Sequence, residues 1–327
     1  MKILFCQLRN HGDVIRTFPL LDAVKRVHPT WKIGYTCFPE MVETCEMSEA
    51  IDFIIPQPRL KPVTDIQGGT RVLDCTILKE SVEMVRNIGF DVYIDLHGVF
   101  QSSMFGALCN IKSRLGRSSE TSKDGASLFY TDICEISQKN INRMERHFTI
   151  LNKIFPEVVP VVESRAVESE MVSFFPGSSQ MGILKRYDIE KYLVVADAIS
   201  LKCKVQFVLG CEDVDLLGTL QTKTQYPIKV VRDWKFVKEE ILKSKVVVGN
   251  DTAYLHLAIW QRIPSIMICG PTSPQINGVW RFGVGETVCS EIVCTCPNLW
   301  NGLCEKKHNC MNDLNPTKII DVLRRFL

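Results

Sequence analysis

The residues best equipped for chemistry stand where apolar runs break into helical patterns. Near the start, Ile3–Leu8 reads as a strand and Gly12-Asp13 as the turn after it, ahead of a helical pattern over Val14–Val27. Gly12 lets that turn lie close to whatever it faces, and the Asp13 carboxylate is placed either to take a proton from an incoming hydroxyl or to cap the helix. Far along the chain, Val246-Val247-Val248 reads as a short buried strand broken by Gly249-Asn250-Asp251-Thr252. A helix capped by Asp251 or Thr252 follows, with Ala253 in its first turn and His256 roughly one turn in. Such a junction aims backbone N–H groups and the positive end of a helix dipole above the sheet. It suits a pyrophosphate, and it equally suits an ordinary strand-to-helix turn.

The middle of the chain adds hydroxyls and charge. Pro176-Gly177-Ser178-Ser179 follows the strand candidate Val172–Phe175, and Lys185-Arg186 precedes a helix opened by Asp188. The serines can donate to phosphate oxygens or simply form a polar turn. The Lys185 ammonium can reach a diphosphate, with Arg186 sharing that work or solvated beside it. Gly210-Cys211-Glu212 ends another strand, where a carboxylate can accept two vicinal hydroxyls in bidentate fashion. Asp213-Val214-Asp215 nominally forms a metal-binding Asp-x-Asp, but so short a pattern at a helix start, where the dipole favours acids anyway, carries little weight. Near the end, Cys294, Cys296, Cys304 and Cys310 fall close together. Four thiolates can hold a structural zinc or iron; the spacing lacks the paired Cys-x2-Cys knuckles of a strong site, and a loop of reduced cysteines is the other reading.

Two domains of about 150 residues each fit a chain of 327 residues. A net charge of +2 supplies no basic field of the kind nucleic-acid binding needs. No run approaches the length needed to span a bilayer, and Ile3-Leu4-Phe5-Cys6 is too short for a signal-peptide core, so a cytoplasmic protein is expected. Most of the 14 cysteines are scattered singly, as small buried hydrophobes of a reducing compartment. Gly-x-Gly-x-x-Gly and the Gly-Lys-Ser/Thr of a P-loop are absent, which sets aside nicotinamide chemistry and P-loop ATP hydrolysis.

The elements that must position these residues alternate. Lys32–Cys37, Ile51–Ile55 and Asp91–Leu96 read as further strands, and Lys79–Asn87, Ser102–Asn110 and Lys139–Phe155 as helices. Pro19 lies inside the first helical pattern, so that helix starts late or bends there. The proline-bearing stretch 156–163 reads as a linker. Beyond it Val205–Leu209, Ile228–Val231, Val246–Val248 and Ser265–Ile268 continue the strand series, and residues from Pro316 to Leu327 form a last amphipathic helix. Alternation of this kind builds right-handed βαβ units and a parallel sheet covered on both faces.

The motifs also share an order. Gly12-Asp13 with Thr17-x-Pro19-Leu20, then Pro176-Gly177-Ser178 before Lys185-Arg186-Tyr187, then Asn250-Asp251-Thr252 with His256, then Gly270-Pro271-Thr272, resembles the signature of glycosyltransferase family 9 over nearly the whole chain. These are the ADP-heptose:lipopolysaccharide heptosyltransferases and their relatives. The resemblance implies an α/β GT-B fold, two Rossmann-like domains facing across a cleft, with residues 1–160 binding the acceptor and 161–327 the nucleotide sugar. It implies inverting transfer of a heptose from ADP-heptose to a hydroxyl of a lipopolysaccharide core or related glycan, with Asp13 as base. It gathers Ser178, Ser179, Lys185, Arg186, Glu212, Asp251, Thr252, Ala253 and His256 around the donor, Lys185 at phosphate and Glu212 at ribose. It requires no cofactor for catalysis, since helix dipole and basic residues stabilise the leaving diphosphate, and a lipid-linked acceptor would bring contact with the inner membrane. Some protein heptosyltransferases similar to this chain carry cysteine-bound iron, which bears on the tail. Ala253 departs from the family's Asn-Asp-Thr-Gly, and its methyl group bears on how closely backbone approaches phosphate and so on donor identity. Transfer of another sugar, a protein acceptor, or a catalytically silent scaffold are the alternatives; intact Asp13, Lys185, Glu212 and Asp251 speak against the last.

Overall fold

The computed structural model describes the chain outside residues 65–70, 139, 164, 166–167, 293, 295–303 and 305–308. The chain divides into two compact units, Met1–Lys139 with Met144–Val161, and Asn140–Arg143 with Val162–Leu327. No helix of the described residues is long and apolar enough to cross a membrane.

The first unit carries β1 (Lys2–Cys6), β2 (Lys32–Cys37), β3 (Phe53–Pro56), β4 (Pro62–Thr64), β5 (Arg71–Leu73), β6 (Val92–Asp95), β7 (Ser113–Arg117) and β8 (Asp132–Cys134). Six of them form one parallel sheet in the order β3-β2-β1-β6-β7-β8, while β4 and β5 pair antiparallel as a separate ribbon. The second unit carries β9 (Met171–Phe175), β10 (Lys204–Gly210), β11 (Ile228–Val231), β12 (Val246–Asn250), β13 (Ser265–Cys269) and β14 (Gly285–Cys289), parallel in the order β11-β10-β9-β12-β13-β14. Each sheet thus starts at its middle, winds outward one way, and returns to the middle to wind the other way. The strand order reverses between β1 and β6 in one unit and between β9 and β12 in the other, and ligands of doubly wound sheets bind outside the carboxyl ends at that reversal.

The central strands read as continuous apolar runs because both faces are covered. Ile3 to Cys6 and Val246 to Val248 are wholly buried. In the first unit the helix Phe18–Val27 buries Phe18, Leu20, Leu21, Ala23 and Val24, each large aliphatic side chain contributing about 1.5–3 kcal/mol by leaving water. The first helical pattern is broken where Pro19 demanded: His11–Ile15 forms one short helix, and the next begins at Phe18 with Pro19 in its first turn, where its missing N–H is not needed. In the second unit Phe174 stacks on Phe207 at 5.3 Å and Tyr192 meets Phe174 edge-on. The last helix, Pro316–Leu323, buries Ile319, Ile320 and Leu323 in this same core.

Two sequence expectations need correction. The helix expected over Lys139–Phe155 runs only over Arg143–Leu151, and Asn142 donates instead to the Gly278 carbonyl of the second unit's own loop at 3.0 Å. The edge strands β8 and β14 and the inner strand β7 carry no clear strand signal in the sequence, because Ser113, Arg114, Asp132, Glu286 and Thr287 break any apolar alternation.

Candidate functional site

In the second unit the loops leaving β9, β10 and β12 are tied together by two buried polar side chains. Asn250 ends β12; its Nδ2 donates to the carbonyls of Pro176 (2.7 Å) and Gly177 (3.2 Å), and its Oδ1 accepts from Tyr187 N–H and Tyr192 O–H. Asp213, 3% exposed, accepts from Gly210 N–H, Ser178 N–H and the Arg186 guanidinium, at 2.9, 3.1 and 2.8 Å. Burial pushes its carboxyl upward against the pull of those donors. A side chain at residue 177 would meet Asp213 at 1.9 Å, so only glycine lets the loop after β9 close on it. Asp213 and Asp215 both hold Arg186, which engages Asp215 Oδ2 at 2.6 Å. The Asp-x-Asp pattern is therefore half of an arginine clamp.

Lys185 lies on the opposite side of the same junction. Its ammonium is 3.3 Å from Asp251 Oδ2 and 3.2 Å from the Asp251 carbonyl oxygen, while Asp251 Oδ1 meets His256 Nε2 at 3.0 Å. Of the two residues expected to cap the helix, Thr252 stands at the N-cap position, but neither makes the expected side-chain bond. Asp251 turns to Lys185 and His256, and Thr252, at the N-cap position of the helix Ala253–Trp260, makes no side-chain cap bond. The first amides of an almost wholly apolar, buried helix are thus left without a side-chain acceptor. The Thr252 and Thr272 hydroxyls, buried at the carboxyl ends of β12 and β13, also find no hydrogen-bond partner among the described residues. Donors without acceptors beside a lysine and a helix N-terminus make a setting for an anion.

Glu212 is exposed and opens onto a depression of ≈ 530 Å³ lined by Gln180, Ile183, Arg186, Cys211, Val214 and Asp215. Of the two serines, Ser179 is exposed, whereas Ser178 is buried with its hydroxyl between Arg186 Nε and the Ser179 carbonyl. Ala253 is the first residue of its helix and Tyr254 the second; the Tyr254 ring packs on Phe175 and Trp234 and lies over Gly210. The structure therefore brings Ser178, Lys185, Arg186, Glu212, Asp251, Thr252, Ala253 and His256 to one end of one sheet. A larger depression, ≈ 580 Å³, lies at the other end of the strands, where Lys229 and Lys243 neutralise the Glu240 carboxylate.

In the first unit Asp13 is the third residue of the helix His11–Ile15, whose N-cap position is held by Asn10. Asp13 Oδ1 receives Arg16 Nη1 at 2.8 Å and its Oδ2 receives Asn10 Nδ2 at 3.0 Å. Asn10, at the turn, has a positive φ of 67°. Beside this turn, at the end of β6, stands a group the sequence did not announce. Asp95, fully buried, accepts from Tyr130 O–H, Ser102 O–H and the N–H groups of His97 and Gly98. His97 in turn accepts at Nδ1 from Leu8 N–H at 3.0 Å, joining the ends of β1 and β6. The histidine's residue type was the available signal, since the Leu8 N–H and Gln7 amide that face its ring lie far away in sequence.

Of the tail cysteines, Cys296 lies outside the described residues. Cys310 is buried in the second unit's core and Cys294 packs against it, while Cys304 is half-buried. Among the described residues no three His, Cys, Asp or Glu side chains cluster as metal ligands would.

Residues 80–312 match the model of glycosyltransferase family 9 (heptosyltransferase). A lipooligosaccharide heptosyltransferase 2 of Campylobacter jejuni subsp. jejuni serotype O:6 is 26% identical over 164 residues, 46% of this chain and 49% of that protein, so the chain spans about half the length of the curated relatives it matches. Among solved structures, the glycosyl transferase family 9 protein of Veillonella parvula DSM 2008 superposes with a TM-score of 0.76 at 17% identity, covering 99% of this chain and 96% of its own. E. coli heptosyltransferase WaaC with ADP-2-deoxy-2-fluoro heptose superposes with a TM-score of 0.72 at 17% identity, covering 100% of both chains. The two parallel six-stranded sheets are those of GT-B heptosyltransferase structures.

Proposed function

The chain belongs to glycosyltransferase family 9, and on that premise we propose that it transfers a heptose from ADP-heptose to a hydroxyl of a lipopolysaccharide core or related surface glycan, inverting the anomeric centre. One observation carries the donor half. Loops from β9, β10 and β12 converge on a helix N-terminus that lacks a side-chain cap and stands beside Lys185. The diphosphate lies on those amides and the Thr252 hydroxyl, with Lys185 neutralising charge and Asp251 orienting both Lys185 and His256. Glu212, open to solvent at the end of β10, takes the ribose hydroxyls.

The acceptor binds the first unit. Asp13, its carboxylate aimed by Arg16 and Asn10, takes the proton as the acceptor oxygen attacks the anomeric carbon in line. The bond to the ADP oxygen breaks on the opposite face. Charge growing on the departing diphosphate meets donors already in place, which is where such a site lowers the barrier. No metal enters these steps, because Asp213 and Asp215 are committed to Arg186 and cationic groups at the helix end do the neutralising. The enzyme works in the cytoplasm, at the inner membrane where the acceptor is lipid-linked.

A second reading, transfer of another sugar, is favoured by Ala253 alone, whose methyl group stands at the first turn of the anion-binding helix. Release of ADP, UDP and GDP from a panel of nucleotide sugars tests both. ADP released from ADP-heptose, above all other donors, is the expected result; release of UDP or GDP in preference establishes the second reading.

A further inference from the structure

At the first unit's reversal point two donors converge on one imidazole nitrogen. Leu8 N–H lies 3.0 Å and Gln7 Nε2 3.2 Å from His97 Nδ1. A ring nitrogen that accepts from a backbone N–H carries no proton, so the neutral imidazole bears its proton on Nε2. Burial, helped by the charges of Arg9, Arg117 and Arg146, holds the ring neutral, its pKa lowered to about 4, while the nearby Asp13 carboxylate pulls the other way.

The ring is also fixed in place. His97 N–H donates to Asp95 Oδ1 at 2.9 Å, and the His97 carbonyl accepts from Arg117 Nη2. The next residue, Gly98, has φ 73°, and a side chain there would strike the Arg117 guanidinium at 2.3 Å. Asp95 beneath is saturated by Ser102, Tyr130 and Gly98. All this structure immobilises an imidazole whose Nε2 takes no partner among the described residues.

Resting on the assignment of Asp13 as base, we propose that His97 is an acceptor-binding residue, its Nε2–H donating to an oxygen of the acceptor glycan and holding the attacking hydroxyl beside Asp13. A neutral, rigid donor suits a sugar hydroxyl or ring oxygen. It adds no charge that would compete with the base for the proton.

The test uses ADP-heptose with deacylated, heptose-deficient lipopolysaccharide core as acceptor, and compares wild type, His97→Ala and His97→Gln. His97→Ala is expected to raise the KM for the core roughly tenfold, the scale of one lost hydrogen bond, and to leave ADP affinity unchanged by calorimetry. His97→Gln, which accepts from Leu8 N–H through its oxygen and donates through its nitrogen, is expected to recover most of the loss. If the alanine variant does not fold, nitrogen-15 spectra of wild-type histidines decide. The Nε2-protonated tautomer of His97 should be present at neutral pH and its resonance should move on adding the core but not ADP. An unchanged core KM in both variants, or a resonance unmoved by saturating core, overturns the proposal. Wild-type protein that releases no ADP from ADP-heptose would instead count against the parent assignment, and the spectra with core alone would still report on His97.

Discussion

Lys185 Nζ lies 3.3 Å from Oδ2 of Asp251, a carboxylate only 2% exposed, and 3.2 Å from the same residue's carbonyl oxygen. In the proposed site the lysine would serve two neighbours at once, the buried acid and the donor diphosphate on the adjoining helix end. Lys185→Ala should weaken ADP binding by about 1.5–3 kcal/mol, roughly ten- to hundredfold, and should also lower the melting temperature, because Asp251 loses a compensating charge. Calorimetry and thermal denaturation on one preparation check both. Weaker binding with no change in melting temperature would mean that the Lys185–Asp251 contact contributes nothing to the fold.

Asp213 is predicted to be the more damaging site for stability. Removing its carboxylate in Asp213→Ala strands Gly210 N–H, Ser178 N–H and the Arg186 guanidinium in a buried place. Breaking such a knot costs about 3–5 kcal/mol. A urea denaturation midpoint equal to wild type would contradict this.

Cys211 offers a chemical footprint of the proposed donor site. It is the exposed thiol among the described cysteines and lines the depression beside Glu212. A maleimide should label it readily, and saturating ADP should slow that labelling several-fold. Mass spectrometry of the peptide holding Cys211 reads the rate; labelling indifferent to ADP places the ribose elsewhere.

Much of this site is visible in the sequence because its parts are local. A β-branched strand, a Gly-Asn-Asp-Thr break and an apolar helix declare themselves within a dozen residues, and so does Gly177 before Ser178. Their partners do not. Asp213 reads as one of several acids at a helix start, and only folding brings it to Ser178 and Arg186. His97 likewise sits in an unremarkable Asp-Leu-His-Gly, its meaning given by Leu8 in the loop that follows the neighbouring strand β1. Of the two cap candidates Thr252 does hold the N-cap position, though without a side-chain bond, while Lys185, brought in from another loop, engages Asp251 instead.

The pH dependence of stability should carry the mark of His97. Its pKa is depressed from 6.5 to about 4 in the folded chain, so the unfolded chain binds the proton more readily. The resulting stabilisation is complete above pH 6.5 and is lost as pH falls toward 4, in total on the order of 3 kcal/mol. Asp95, whose carboxyl burial pushes upward, works in the opposite sense, so the comparison must be made between variants. His97→Gln should lose less stability than wild type between pH 7 and 4.5 in urea titrations. Parallel curves would show that the ring is not held neutral.

The most direct measurement is turnover of ADP-heptose on heptose-deficient lipopolysaccharide core by wild type and Asp13→Ala, with ADP affinity measured on both. Wild type should release ADP and add one heptose to the core. Asp13→Ala should fall by roughly a hundredfold or more in kcat, the scale of a lost general base, while binding ADP as tightly as before. A wild-type protein inert with ADP-heptose, or an Asp13→Ala variant that turns over normally, would contradict the assignment of this site to heptosyl transfer.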